Sequence, residues 1–343
     1  MRKLLNTLYI TTPLSYLSLD GENIVILLEE NEKFRMPFVN LEAIVCFGYM
    51  GCSPALMGKC VENNIGLSFL MPNGEFMARV SGKTKGSVFL RKKQYLLSED
   101  NNFCLTFSQN LVAAKLHNSR YLLERSLRDN DTISAREEIA SISSQLKNNI
   151  QMIYNISDKE ELRGFEGAHA KAYFSVYDHL ILHQKKHFSF CGRNKRPPLD
   201  NTNCMLSYLY TILSLEITSA LETVGLDPYV GFMHELRSGR ASLAVDLLEE
   251  LRAYLVDRLV LSLINLKKVT EKDFITKEGG AVLFTEDGRK KILTAWQEKK
   301  KEVIFHQVIE EKIEIGLLPY VQAQLLARYI RGDIGEYPNF LCK

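Results

Sequence analysis

Carboxylates recur along one helical stretch of the sequence at a spacing that suits metal chemistry. Asp246, Glu249, Glu250 and Asp257 fall on one arc of a helix at about 100° per residue, and leucines fall on the opposite arc. His234 precedes this stretch. Carboxylates and an imidazole can together hold a hard divalent cation. The pattern therefore leaves two interpretations, a metal-binding helix face and a solvated acidic surface.

A turn and a loop must position this helix. Pro228 marks the turn, and Ser242 is the expected N-cap that begins the helix. The loop between them also carries Arg237 and Arg240, whose guanidinium groups would suit an anion such as a phosphate. The stretch 225–260 thus predicts a site for a cation and a phosphate together.

A further candidate carboxylate lies far upstream, at Glu166. Gly164 and Gly167 flank it at what we expect to be a helix start. Small neighbours allow another backbone to approach closely, which favours a functional site. A carboxylate at a helix start also complements the helix dipole, so the residue types alone leave the structural interpretation open.

A basic segment follows, between His179 and Leu199, and it contains no Asp or Glu. Phe188, Phe190 and two consecutive prolines indicate a shaped loop. We expect this segment to bind the phosphates of nucleic acid, the alternative being a solvated surface. Its cations are Lys185, Lys186, Arg193, Lys195 and Arg196.

The overall composition is that of an ordinary globular protein. With 343 residues, 46% of them hydrophobic and 24% charged, the chain is long enough for two domains. The net charge of +2 means that a nucleic-acid partner must depend on local clusters of charge. The seven cysteines are odd in number and form no Cys-x-x-Cys pair, which argues against a disulfide framework and a thiolate zinc site.

Targeting and cofactor signals are missing from the sequence. We find no run of about 18 apolar residues, so we expect no membrane span and a cytoplasmic protein. The segment SGKTKG at 81–86 lacks the earlier glycine of a phosphate-binding loop, because position 77 is Met. We therefore expect no nucleotide cofactor.

The order of local signals predicts an α+β fold. Residues 1–85 read as a β-rich domain with hairpin turns at DGEN and MPNGEF and a helix that begins after Ser53. Residues 86–100 read as a linker and first helix, and a basic stretch from Arg79 to Lys93 marks the domain boundary. Residues 101–343 read as a larger, mainly helical domain with a short hairpin near Gly279.

Three segments in this order resemble the CRISPR-associated integrase family, the core integrase of CRISPR spacer acquisition. They are GFEGAHAKAYF, GRNKRPPLDNTNCMLSYLYTIL and GLDPYVGFMHELRSGRASLAVDLLEELR, and a hairpin and closing helices follow them. The similarity covers nearly the whole chain, although the N-terminal domain matches only in length and β-rich character. The three segments together, at these separations, are highly specific.

The resemblance implies an active site and an assembly. Glu166, His234 and Glu249 would ligate Mg²⁺ or Mn²⁺, and Asp246 would be an additional acidic active-site residue. Some members of that family carry Asp at the position of Glu249. The β-rich domain would form a homodimer, and the helical domain would hold the site. A small second CRISPR-associated adaptation protein would bridge two such dimers in the prokaryotic cytoplasm.

The resemblance also implies a reaction. The 3′-hydroxyl of a captured double-stranded DNA fragment would attack a phosphodiester at the repeat boundary, and Arg237 or Arg240 would neutralise the developing charge. Two other functions fit the same residues. One is a metal-dependent, structure-specific DNA nuclease that uses water as the nucleophile, and the other is a non-catalytic DNA-binding scaffold.

Overall fold

The chain of this computed structural model forms two compact units. The structure describes residues 6–29, 31–82 and 87–343. The first unit comprises residues 1–85 with 289–318, and the second comprises residues 86–288 with 319–343. Strands dominate the first unit and helices the second, which confirms the predicted α+β class with its β-rich region first.

Two four-stranded sheets and one helix account for the N-terminal part of the first unit. The elements are β1 (Asn6–Ile10), β2 (Tyr16–Asp20), β3 (Asn23–Leu28), β4 (Asn31–Pro37), β5 (Leu41–Phe47), β6 (Gly51–Cys52), α1 (Pro54–Glu62), β7 (Gly66–Leu70) and β8 (Phe76–Val80). The sheet orders are β1-β5-β7-β8 and β4-β3-β2-β6. Apolar side chains from both sheets and from α1 form one core cluster.

The local signals in this region are confirmed. Strands β2 and β3 pair antiparallel across DGEN, and β7 and β8 pair antiparallel across the Asn-Gly turn. Helix α1 begins at Pro54, and the Ser53 hydroxyl accepts the backbone N–H of Leu56 at 3.2 Å. Lys83 and Lys85 of the basic stretch at the domain boundary lie outside the described residues.

Residues 289–318 belong to the first unit, whereas the sequence assigned them to one domain of residues 101–343. This segment contains most of α9 (Glu286–Lys301) and the hairpin of β11 (Val303–His306) and β12 (Glu311–Glu314). On α9, Gln297 and Lys300 donate to the carbonyl and hydroxyl oxygens of Thr7 in β1, at 2.9 and 3.0 Å. These contacts join a late segment to the first strand, which no local pattern predicts.

The second unit is a helical assembly built around one long helix. Its elements are α2 (Val88–Glu99), α3 (Asn101–Asp129), α4 (Arg136–Ile153), α5 (Lys159–Ser175), α6 (Asn201–Val224), α7 (Ser242–Arg252), α8 (Arg258–Asn265), the short hairpin of β9 (Phe274–Thr276) and β10 (Val282–Phe284), and α10 (Leu318–Arg331). Helix α3 packs against α4, α5 and α7. Helix α6 is long and apolar enough to cross a membrane, but 61% of its most apolar window is buried inside the protein, as in a core helix.

Helices α7 and α8 are joined through a π-helical segment, Ala253–Asp257, into one continuous rod. The acidic arc of this rod is buried, with relative exposures of 0% for Asp246, 6% for Glu249, 0% for Glu250 and 1% for Asp257. The interpretation of that arc as a solvated surface is therefore wrong. Each buried carboxylate needs hydrogen-bond donors or a cation of its own.

Two of these carboxylates have structural partners. Glu250 accepts hydrogen bonds from the Tyr337 hydroxyl at 2.5 Å and from the backbone N–H of Phe340 at 2.9 Å, which fastens the C-terminal segment to α7. Asp257 accepts the hydroxyl of Tyr173 at 3.0 Å and also that of Tyr210. The other two carboxylates of the rod have different partners, Asp246 on the loop of His234 and Glu249 at Lys115 and Arg252.

Candidate active site

Asp246 holds the loop that carries His234. Its carboxylate accepts the backbone N–H groups of Phe232, Met233 and His234, at 2.8, 3.1 and 3.0 Å, and the Nδ1 atom of His234 at 2.7 Å. Because an ionised carboxylate can only accept, Nδ1 carries the proton. The Nε2 atom then keeps its lone pair for a ligand, the arrangement common to metal-binding histidines. Asp246 is therefore a positioning residue for the His234 loop, and a direct role of Asp246 in the site stays a prediction.

The loop passes very close to the start of α7. A Cβ atom at Gly231 would lie 2.6 Å from Oδ2 of Asp246 and 2.8 Å from the carbonyl carbon of Ser242, so only glycine fits there. Ser242 is the first residue of α7, and Ala241 is the N-cap. The predicted capping role of Ser242 is wrong, because its hydroxyl donates to the backbone oxygen of Glu235 at 2.9 Å.

Glu166 and Glu249 meet at one ammonium group. Glu166 lies in the middle of α5, not at its start, so a dipole complement does not explain it. The Nζ atom of Lys115, on α3, donates to Oε1 of Glu166 and lies 2.5 Å from Oε2 of Glu249. The two carboxylates, from helices far apart in sequence, are thus within about two hydrogen-bond lengths of each other.

The electrostatic field keeps Glu249 ionised. Burial by itself would raise the pKa of Glu249, but the ammonium of Lys115 and the guanidinium of Arg252 outweigh it and hold that pKa below its usual value. Arg252 donates from Nη1 to Oε2 of Glu249 at 3.0 Å. Glu249 is a charged carboxylate in a buried, positively charged surrounding.

The ligand types fit Mg²⁺ or Mn²⁺, since the set consists of two carboxylates and the Nε2 atom of one imidazole and contains no thiolate. Within the described ranges no three His, Cys, Asp or Glu side chains are arranged to hold an ion. The ammonium of Lys115 lies between Glu166 and Glu249 instead. The coordination of one ion by Glu166, His234 and Glu249 stays a prediction.

The basic loop contains one cation that is built into the fold. Arg193 donates to Oδ1 of Asn203 at 2.7 Å and to the hydroxyl of Ser207 at 2.9 Å, and its guanidinium carbon lies 5.3 Å from the ring centroid of Tyr210. The prediction that Arg193 contacts DNA does not fit these internal partners. Its contacts attach the loop to α6.

Lys195 and Arg196, by contrast, are exposed. Burial of part of the Lys195 side chain, together with the nearby guanidinium groups of Arg252 and Arg193, lowers the pKa of Lys195. Glu249 acts on the same pKa in the opposite direction, which puts Lys195 in the field of the site. A contact of Lys195 or Arg196 with a DNA phosphate stays a prediction.

The remaining predicted cations differ in their exposure and in whether a carboxylate pairs with them. Lys185 forms an ion pair with Asp178 at 2.7 Å, a carboxylate that lies just outside the acid-free stretch. Arg237 is exposed and forms an ion pair with Glu235 at 3.3 Å. Lys186 is exposed and Arg240 is half-buried. A DNA contact by Lys185, Lys186, Arg237 or Arg240 stays a prediction.

Sequence reasoning missed Lys115 and Arg252. Both contact Glu249, and both side chains are largely buried, Lys115 on α3 and Arg252 at the end of α7. The only signal in the sequence was a single lysine at a buried position of α3, in the run LVAAKLHN. A buried lysine almost always has a carboxylate partner, but the sequence does not say which one.

The fold matches solved structures of a casposase and of a CAS1 protein. A casposase bound to its integration product superimposes with a TM-score of 0.85 at 21% identity and covers 98% of this chain and 94% of that one. A CAS1 protein from Thermotoga maritima gives a TM-score of 0.83 at 20% identity, with 98% and 100% coverage. At these identities the comparison defines the fold class, a strand-rich unit followed by a helical one.

Comparison of the sequence with known proteins identifies the family of this chain. The family model described as CRISPR associated protein Cas1 matches residues 8–298. A CRISPR-associated endonuclease Cas1 of Chlorobaculum tepidum is 46% identical over 341 residues, which are 99% of each chain. One of Rhodospirillum rubrum is 44% identical over 347 residues, 100% of each chain. This chain belongs to the CRISPR-associated Cas1 family, which confirms the family resemblance.

The geometry of Asp246 generates a prediction. Asp246→Asn puts an amide nitrogen where an oxygen accepts N–H groups, so we expect the free energy of unfolding to fall by about 1–3 kcal/mol. We also expect His234 to lose its fixed Nδ1–H tautomer. Denaturant unfolding measures the first effect, and long-range ¹H–¹⁵N NMR of the imidazole measures the second.

Asp158→Asn is the matched control. Asp158 caps α5 and accepts the N–H of Glu161 at 2.9 Å, a role that Asn fills about equally well. An Asp246→Asn protein that keeps both its stability and the Nδ1–H tautomer of His234 would contradict the positioning role.

Proposed function

We propose that the protein is a metal-dependent DNA integrase of CRISPR adaptation. It would join the 3′-hydroxyl ends of captured double-stranded DNA fragments to phosphodiesters at the repeat boundary by transesterification. The observation that carries the proposal is that Glu166 and Glu249, on two separate helices, contact the same ammonium group, that of Lys115. Family membership supports it, because the curated relatives named above are called endonucleases and the casposase structure contains an integration product.

Glu166, Glu249 and Nε2 of His234 would hold Mg²⁺ or Mn²⁺ in this proposal. The bound ion would polarise a phosphoryl oxygen and lower the pKa of an attacking hydroxyl. Asp246 keeps the imidazole oriented through Nδ1 and so presents Nε2 to the site. Arg252 fixes Glu249 by an ion pair at 3.0 Å, so that the carboxylate does not have to reorganise during the reaction.

Positive charge beside the carboxylates would hold the DNA backbone. Lys195 is exposed and lies in the field of Glu249, and Arg196 is exposed next to it. Arg237 and Arg240 follow His234 on the same loop and would act on a phosphate from the other flank of the imidazole. Such contacts to phosphate set the register of the DNA without reading its sequence.

A metal-dependent, structure-specific nuclease is the second candidate. The relatives' name of endonuclease favours it, and the same residues would serve a water nucleophile. The products separate the two reactions, since transesterification conserves the phosphodiester and joins two DNA molecules, whereas hydrolysis only cuts. The third candidate, a non-catalytic scaffold, requires that the parent protein bind DNA and yield neither joined nor cut product.

The first test is a strand-transfer assay with a short duplex, a repeat-containing plasmid and Mn²⁺. We expect Glu166→Gln, His234→Ala and Glu249→Gln each to lower the rate by about 100-fold or more, because each removes a metal ligand. Binding of the duplex should stay within about threefold of the parent, since affinity depends on phosphate contacts elsewhere.

Glu137→Gln, an exposed glutamate of α4, is the control and should keep full activity. Joined products from the parent identify the integrase, and cut plasmid without joining identifies the nuclease. Equal losses of binding and activity in all three ligand variants would support the scaffold and contradict the proposal.

The second test concerns the basic loop. We expect Lys195→Ala with Arg196→Ala to reduce the slope of log affinity against log salt concentration by up to about 1.8, roughly 0.9 for each phosphate that the protein no longer neutralises. Lys185→Ala should change the slope much less, because Asp178 already pairs with that ammonium. A salt titration of duplex binding measures all three proteins. An unchanged slope in the double variant would remove this loop from the DNA interface.

The assembly that we propose is a homodimer working with a small second CRISPR-associated adaptation protein in the prokaryotic cytoplasm. A solved Cas6-RT-Cas1–Cas2 complex contains a chain that superimposes on 99% of this one, with a TM-score of 0.83 at 19% identity. In the first unit, large apolar side chains are exposed, which suits a self-complementary surface. The most exposed are Leu14 at 81%, Tyr49 at 78% and Val39 at 77%.

The dimer prediction is tested by sedimentation velocity at micromolar concentration. The parent should sediment as a dimer, and Val39→Glu with Tyr49→Glu should shift it toward monomer, because charge would then be buried in the interface. Leu266→Glu, a change at a side chain of the second unit that is 67% exposed, is the control and should leave the dimer intact. A monomeric parent would contradict the proposal.

A further inference from the structure

Lys115 occupies an unusual position for a lysine. It lies in the middle of α3 with only 6% of its surface exposed. Its ammonium contacts a carboxylate oxygen of Glu166 and one of Glu249. The side chains of all three residues are largely buried, with exposures of 8%, 20% and 8% in that order.

Electrostatics makes this arrangement mutually dependent. Two carboxylates within about two hydrogen-bond lengths of each other cannot both stay ionised in a buried site without a cation. A buried ammonium is equally costly without anions. Removing Lys115 would leave Glu166 without this cation and Glu249 with Arg252 alone, so the ammonium of Lys115 is what holds the two carboxylates together.

The same contact puts the ammonium of Lys115 in competition with the proposed metal ion. The oxygens that Lys115 binds are those which the proposed function assigns to Mg²⁺ or Mn²⁺. An ammonium and a divalent ion cannot both lie between these carboxylates, because their charges repel at that separation. The four-carbon stem of lysine is flexible, so the ammonium can leave while the α3 backbone stays in place.

We propose that Lys115 is a resident counter-ion that positions Glu166 and Glu249 in the metal-free protein and must be displaced when the metal ion enters. This inference rests on the proposed metal site. It makes Lys115 a positioning residue that sets metal affinity. The protein thereby keeps a closed, charge-neutralised site until the ion enters and replaces the ammonium.

The test measures Mn²⁺ affinity by isothermal titration calorimetry on the full chain without DNA. Lys115→Met removes the competing charge and keeps most of the side-chain volume. We expect Mn²⁺ to bind about tenfold more tightly or better, since a unit positive charge a few ångströms from a divalent ion is strongly repulsive in a partly buried site. Lys147→Met, at an exposed lysine of α4, should leave the affinity unchanged.

Thermal unfolding of the same variant, measured with and without Mn²⁺, separates the counter-ion role from a merely structural one. In EDTA, Lys115→Met should unfold at a lower temperature than the parent, because Glu166 and Glu249 then repel. Saturating Mn²⁺ should close that gap, since the ion replaces the missing positive charge. A merely structural role predicts the same loss of stability with and without Mn²⁺.

Lys115→Arg moves the affinity in the opposite direction. A guanidinium binds carboxylates through a rigid fork and is harder to displace, so Mn²⁺ should bind at least about threefold more weakly than in the parent. This variant keeps the charge and decides the question alone if Lys115→Met does not fold. Recovery of folded Lys115→Met only in the presence of Mn²⁺ would itself support the counter-ion role.

The outcomes also separate this inference from the proposed function. A parent protein that binds no Mn²⁺ overturns the metal site, and the inference fails with it. A parent that binds Mn²⁺, with Lys115→Met equal or weaker in affinity, overturns only the role of Lys115. An unchanged or tighter Lys115→Arg protein does the same.

Discussion

The burial of four carboxylates on one continuous helical rod is the constraint on which the second unit depends. Each carboxylate on the rod from Ser242 to Asn265 would be costly there unless a specific partner satisfied it. Glu250 binds the C-terminal segment, and Asp257 binds two tyrosine hydroxyls. Asp246 gathers the loop of His234. The hydrogen bonds that these buried carboxylates need therefore hold the neighbouring segments against the rod.

The fourth carboxylate, Glu249, is the one whose partners are cations and not fixed hydrogen-bond donors. Lys115 and Arg252 both contact it, and Glu166 meets it through Lys115. A site held together by charge can exchange one cation for another, which hydroxyl and amide partners cannot do. This difference separates Glu249, which cations bind, from Glu250 and Asp257, which fasten parts of the fold, and from Asp246, which orients His234.

The sequence predicts those features whose causes are local. Hairpin turns, the Ser53 cap and the periodicity of the helices each depend on a few adjacent residues, and the structure confirms them. The return of residues 289–318 to the first strand depends on contacts between distant segments, which no local pattern reveals. Composition likewise could not separate Arg193, which α6 side chains bind, from Lys195, which remains exposed.

The central claim is that Glu166, His234 and Glu249 bind one metal ion after Lys115 has moved away. A crystal of the protein grown with Mn²⁺, with diffraction measured at the manganese absorption edge, tests it directly. The account predicts one anomalous peak about 2.0–2.3 Å from oxygens of both glutamates and from Nε2 of His234, with the Lys115 ammonium displaced. The absence of a peak between these residues under saturating Mn²⁺, or a peak held by other side chains, would contradict it.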